Sequence, residues 1–120
     1  MKRFMLKSKI HRARLTGVDL DDEGSITIDR VLLDAADMLP GEQVHVLNLN
    51  NGSRIVTYII AAPAHSGTVL LNGPAARMGQ PRDSVIVLTY CELSDDEARA
   101  FEPRIVLVDE NNAVRMQRNS

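Results

Sequence analysis

A chain of 120 residues is long enough for one domain with a modest core. A net charge of −2 gives it no general attraction for nucleic acid. With no Trp and only 3% aromatics the core must rest on Val, Ile, Leu and Met, and a single cysteine, Cys91, excludes an intrachain disulfide framework.

The first strand alternates. Phe4, Leu6, Ser8 and Ile10 form an apolar or small face, with Met5, Lys7, Lys9 and His11 opposite. Glu23-Gly24-Ser25 before a β-branched run reads as a turn. Asp29 is placed to cap a short helix over 30–39, stopped by Pro40-Gly41. A strand over 44–49 leads to Asn50-Asn51-Gly52, a hairpin turn, since Asn and Gly tolerate positive φ. The return strand covers 54–61, and another covers 68–71. A helical turn is expected over 74–78 and a strand over 85–91. Ser94-Asp95-Asp96-Glu97 is a capping box opening a helix to about Phe101. The last strand covers 104–108, and 111–120 reads as a frayed polar tail. Many short strands with brief helices predict a single all-β domain, a small barrel or sandwich.

The longest apolar runs, such as Ile59-Ile60-Ala61-Ala62, are far too short to span a bilayer. The basic N-terminus lacks the apolar core of a signal peptide, so a soluble, cytoplasmic protein is expected. No metal site is expected, because His11, His45 and His65 are scattered without ligand spacing. Neither a P-loop nor a GxGxxG fingerprint is present.

Five blocks carry the chemistry. They are Met5-Leu6-Lys7-Ser8-Lys9-Ile10-His11-Arg12-Ala13, Gly24-Ser25, Asn51-Gly52-Ser53-Arg54, Thr57-Tyr58 and Asn72-Gly73-Pro74-Ala75-Ala76-Arg77. In this order and at these separations they resemble the pyruvoyl-dependent aspartate 1-decarboxylases, from the first residues to about Val108. The resemblance implies a six-stranded double-psi β-barrel and cleavage into 1–24 (the β chain) and 25–120 (the α chain). A serine can attack the preceding carbonyl, move the acyl group to its own oxygen and eliminate, leaving a pyruvoyl group. Gly24 suits that step because it tolerates strained backbone.

The implied cofactor is therefore a pyruvoyl group generated from Ser25, without pyridoxal phosphate or metal. Its carbonyl condenses with the substrate amine to a Schiff base and serves as an electron sink for loss of carbon dioxide. L-Aspartate would yield β-alanine for pantothenate and coenzyme A biosynthesis. In self-cleavage the resemblance gives Thr57 the role of oxyanion donor to the Gly24 carbonyl. It makes Tyr58 the proton donor, and gives substrate binding to Lys9, Arg54 and Thr57 with the loop Asn72, Gly73, Pro74 and Ala75. Arg54 suits a carboxylate by bidentate contact. Thr57 and Tyr58 are adjacent and would face opposite sides of a regular strand. Either a bulge turns one of them, or they serve one pocket from neighbouring subunits of the family's homotetramer.

Three places depart from the family's pattern: Asp22 stands for a tyrosine, Ala64-His65-Ser66-Gly67 for the family's Arg-Gly-Ser-Gly, which removes a basic contact, and Pro74 for an alanine. The first adds to an acidic run with Asp19, Asp21 and Glu23. Other readings stay open on these residues. They are a pyruvoyl decarboxylase of another amino acid, an uncut relative without activity, and a β-barrel binding module whose basic first strand meets nucleic acid. A maturation partner is left undetermined.

Overall fold

The computed structural model describes residues 1–20 and 24–119. Asp22 and the acidic residues on either side of it, Asp21 and Glu23, lie outside the described residues.

Nine strands and two short helices follow one another among the described residues. They are β1 (Lys2–Arg14), β2 (Gly17–Asp19), β3 (Ser25–Asp29), α1 (Arg30–Ala36), β4 (Gln43–Asn48), β5 (Arg54–Ala62), β6 (Val69–Asn72), β7 (Ser84–Ser94), α2 (Asp95–Ala100), β8 (Arg104–Val108) and β9 (Val114–Asn119). A 3-10 segment, Gly73–Met78, follows β6 directly. The class is all-β with short helices, as expected. The resemblance implies six barrel strands; nine pair among the described residues, in the order β2-β6-β3-β5-β4-β7-β1-β8-β9. Three of the pairs, β1·β8, β2·β6 and β3·β5, are parallel.

The core is aliphatic, as the composition requires. Ile10, Leu15, Ile26, Ile28, Leu32, Leu33, Val44, Val46, Ile59, Val69 and Leu71 are buried together with Val85, Val87 and Val106. β4 buries alternate residues, Val44, Val46 and Asn48, as period-2 patterning demands. Each large aliphatic contributes about 1.5–3 kcal/mol by leaving water.

The even face of β1 is only half right. Ser8 and Ile10 are buried, but Phe4 is 80% exposed. Register shifts against β7 fall between Leu6 and Ser8 and between Ile10 and Ala13. Arg12, at φ 63°, accounts for the second. Beyond it the buried side changes parity, to Ala13 and Leu15.

α1 ends earlier than expected because Asp37 turns left-handed at φ 56°, its N–H bonding to Asp34 and Leu33 carbonyls. Both arms of the Ser94–Glu97 capping box form on α2. The tail is a correction: 114–119 is strand β9, paired antiparallel with β8. Its residues are exposed or half-buried, so no apolar alternation marks it. A turn makes it. Asp109 Oδ1 accepts from the N–H groups of Asn111 and Ala113, while buried Asn112 bonds Arg14 and Gly67.

Candidate active site

Gly24 has φ +109°, a region that disfavours any side chain, and an added Cβ would sit 3.2 Å from Pro74 Cδ. Ser25 follows as the first residue of β3 and is only 1% exposed. Its register partner on β6 is Asn72. Asn72 Nδ2 donates to Ser25 Oγ at 2.8 Å and to Thr27 Oγ1 at 2.8 Å. Both amide hydrogens are thus spent on orienting two hydroxyls, that of Ser25 buried and that of Thr27 half-buried.

From Asn72 the chain enters the 3-10 segment, with Gly73 at φ +60° and Pro74 in its first turn. Pro74 has no N–H to lose there, which suits a helix start. The segment forms one wall of a cleft of about 250 Å³ lined by Gly24, Ile55, Val56, Thr57, Pro74, Ala75 and Met78. The fold therefore gathers Gly24, Ser25, Thr57, Asn72, Gly73, Pro74 and Ala75 into one place, although they come from β3, β5 and the β6 exit.

Three other candidates do not join them within the chain. The β4·β5 register runs unbroken from Gln43↔Tyr58 to Leu47↔Arg54. No bulge turns Thr57 or Tyr58, so they face opposite sides of β5. Tyr58 shares the exposed face with Arg54 and Val56. Arg54 is not a lone solvated side chain. Its Nη2 lies 3.1 Å from His45 Nδ1 and 3.4 Å from Tyr90 Oη, and the His45 and Tyr90 rings meet edge to face at 5.1 Å. Lys9 sits on β1 opposite Leu88 of β7 and Ile105 of β8, four places from β3 in the sheet order.

His11, on the Lys9 side of β1, has a buried Nδ1 without a hydrogen-bond partner. Its pKa is lowered, first by burial and then by the positive charges of Lys9, Arg12 and Arg118. His65 is placed elsewhere, on a cleft with Asp29, Val31 and Asn112. Its N–H and that of Gly67 bond the Asp29 carboxylate, which also caps α1 through the Val31 N–H. The departure at 65 thus lies away from the Gly24 cleft, whereas Pro74 is in it.

Thr27, His45 and Tyr90 escape sequence reasoning. The β4–β5 hairpin register, counted out from Asn51-Gly52, carries the signal for His45, which it puts on the Arg54 face. Thr27 and Tyr90 depend on pairings between distant strands. Among the described residues no group of three His, Cys, Asp or Glu side chains could hold a metal ion, and no helix is long and apolar enough to cross a membrane.

The described residues thus form a small all-β domain in which a buried serine follows a glycine at φ +109°, beside a cleft that Pro74 and Ala75 help to line. The chain belongs to the aspartate decarboxylase family, whose model matches residues 1–115. It is 56% identical over 114 residues to the aspartate 1-decarboxylase of Acaryochloris marina, covering 95% of this chain and 87% of the relative. Identity to the aspartate 1-decarboxylase of Salinibacter ruber is 59% over 110 residues, 92% of this chain and 75% of that one. For that of Caulobacter vibrioides it is 55% over 111 residues, 92% and 94%.

Proposed function

We propose that this chain is an aspartate 1-decarboxylase that cuts its own Gly24–Ser25 bond and converts L-aspartate to β-alanine and carbon dioxide, feeding pantothenate and coenzyme A synthesis. The observation that carries the reading is the Gly24–Ser25 step itself. Its glycine holds a φ of +109° that side-chain-bearing residues rarely adopt, its serine is shielded from water, and Asn72 holds the Ser25 oxygen.

Ser25 Oγ attacks the Gly24 carbonyl carbon. The C–N bond breaks, the hydroxyl proton passes to the released amine, and an ester joins the two residues. Thr57, on the wall of the Gly24 cleft, is the donor for the oxyanion that forms on the way. Loss of the Ser25 α-proton expels the Gly24 carboxylate and leaves a dehydroalanine. Water then replaces its nitrogen, which departs as ammonia, and residues 25–120 begin with a pyruvoyl group. These residues fit that group: residue 25 opens β3 beside the cleft, and no metal or pyridoxal phosphate is needed.

The pyruvoyl group supplies an electron sink for loss of the substrate's carboxylate. The chain's residues do the rest. Pro74 and Ala75 with Asn72 and Gly73 shape the pocket wall. Arg54 grips a substrate carboxylate, and Lys9 supplies a second cation suited to a dicarboxylic substrate. The Tyr58 hydroxyl gives the proton that completes the product. Since Tyr58 and Arg54 lie across β5 from Thr57, and Lys9 lies on β1, a neighbouring copy contributes them. The site is shared between subunits of a homotetramer. A cytoplasmic setting fits the free Cys91.

The test is intact mass and a decarboxylation assay. Purified protein should separate under denaturing conditions into 1–24 and 25–120, the larger piece one ammonia lighter than simple hydrolysis would leave it. It should release carbon dioxide from L-aspartate without added cofactor. A Ser25→Ala chain should stay whole and inactive. A wild-type chain that stays whole after long incubation would overturn the reading.

A further inference from the structure

The hairpin joining β4 to β5 also reaches across to a single backbone atom. The Met78 carbonyl oxygen accepts from Asn48 Nδ2 at 3.1 Å, Asn51 Nδ2 at 2.9 Å and Ser53 Oγ at 3.1 Å. A carbonyl has two lone pairs, so three donors exceed what its satisfaction requires. Met78 ends the 3-10 segment that begins with Gly73 and Pro74, and it lines the cleft beside Gly24.

The donors are themselves fixed. Asn48 is buried. Its Oδ1 accepts from the N–H groups of Asn50 and Asn51, and its Nδ2 also meets Asp83 Oδ2 at 2.9 Å. Asn51 Oδ1 accepts from the Ser53 N–H. On the other side of the segment's exit there is no spare room, since a Cβ at Gly79 would come within 2.5 Å of Leu15 Cδ1. Short 3-10 segments have poor hydrogen-bond geometry of their own and depend on their anchors. This one is tied at its start by Asn72 and at its end by the hairpin.

We infer that Asn51 and Ser53 are positioning residues for the Gly24–Ser25 bond. By holding the Met78 carbonyl they keep Pro74 pressed against Gly24 and keep the cleft wall in place. The inference rests on the proposed function, in which that bond is cut. It assigns the Asn51–Ser53 turn a task beyond reversing the chain and leading into Arg54: it also anchors the wall of the Gly24 cleft that ends at Met78.

The test compares Ser53→Ala, Asn51→Asp and the double variant with wild type, and adds Ser53→Thr, which restores the hydroxyl. Asn51→Asp keeps the acceptor for the Ser53 N–H and removes the donor to Met78. The readouts are cleavage rate by intact mass, KM and kcat for L-aspartate on fully cleaved protein, and amide hydrogen exchange at 76–78. Each single variant should slow cleavage roughly three- to tenfold, the loss of one hydrogen bond to a tight anchor. KM should rise more than kcat falls, exchange at 76–78 should quicken, and Ser53→Thr should match wild type.

Wild-type cleavage, KM and exchange in the double variant would overturn the inference. So would slowing that Ser53→Thr does not reverse and that merely follows a lowered Tm. If the double variant does not fold, Ser53→Ala, which leaves two donors, decides by the same readouts. A wild-type chain that is never cut would refute the proposed function. Exchange at 76–78 would then decide the clamp alone, unchanged protection in the double variant overturning it.

Discussion

Asn72 Nδ2 lies 2.8 Å from Ser25 Oγ at a matched position of the β3·β6 pair. The asparagine that opens the cleft-lining segment is thereby the residue that orients the Ser25 hydroxyl. Its donation occupies a lone pair of Oγ and directs the hydroxyl hydrogen elsewhere.

Asn72→Ala leaves the buried Ser25 hydroxyl and the half-buried Thr27 hydroxyl without their donor. Orphaning a buried polar group costs about 1–3 kcal/mol, so self-cleavage should slow by roughly 10- to 100-fold. A time course of intact mass reads this directly. Cleavage at the wild-type rate would show that Asn72 serves packing alone.

Gly24→Ala meets two obstacles, φ +109° and the 3.2 Å approach to Pro74 Cδ. Together they should lower stability by about 1–3 kcal/mol. Thermal melts of an uncleavable Ser25→Ala background isolate the effect from processing. Adding Pro74→Ala should recover only part of the loss, because the backbone strain remains. Full recovery would make the proline contact the whole of it.

The unbroken β5 register puts Thr57 and Tyr58 on opposite faces. A Thr57→Ala chain should be cut slowly while keeping its Tyr58 hydroxyl, and a Tyr58→Phe chain should be cut yet inactive. Co-produced, the two should give more decarboxylase activity than either parent, since one copy lends Tyr58 to the other's processed site. Mixed assemblies as inactive as their parents would place both residues in one chain's pocket.

His11 sets a pH dependence whose sign follows from its lowered pKa. Above the ordinary value of 6.5 the imidazole is neutral in both folded and unfolded chains and adds no slope. As the pH falls below 6.5 the unfolded chain takes up a proton that the folded one refuses, so stability declines. Melts between about pH 7.5 and 5 should show wild type losing more Tm than His11→Gln. Parallel curves would remove His11 from the acid response.

Much of this site was legible because its chemistry is local in sequence. Gly24-Ser25, Thr57-Tyr58 and Asn72-Gly73-Pro74 are short blocks, and the Asp29 and Ser94 caps are read from spacing alone. What stayed hidden depends on which strands become neighbours. The pairing of Ser25 with Asn72 joins residues 47 apart, and the Tyr90 contact to Arg54 crosses 36. β9 has no apolar period to announce it and exists because β8 offers an edge. The change of parity in β1 after Ile10 has no sequence signal, because Arg12 takes a conformation that its residue type does not advertise.

β1 has a last consequence for a chain cut after residue 24. It pairs with β7 along most of its 13 residues and with β8 from Ser8 to His11, so its middle lies between two strands, and β2 lies on β6. The smaller fragment is therefore an interior strand of its partner's sheet, a guest that cannot leave by diffusion. A chain cut there should elute as one body and part only when that sheet melts, so its lifetime would be set by strand withdrawal rather than by a binding equilibrium.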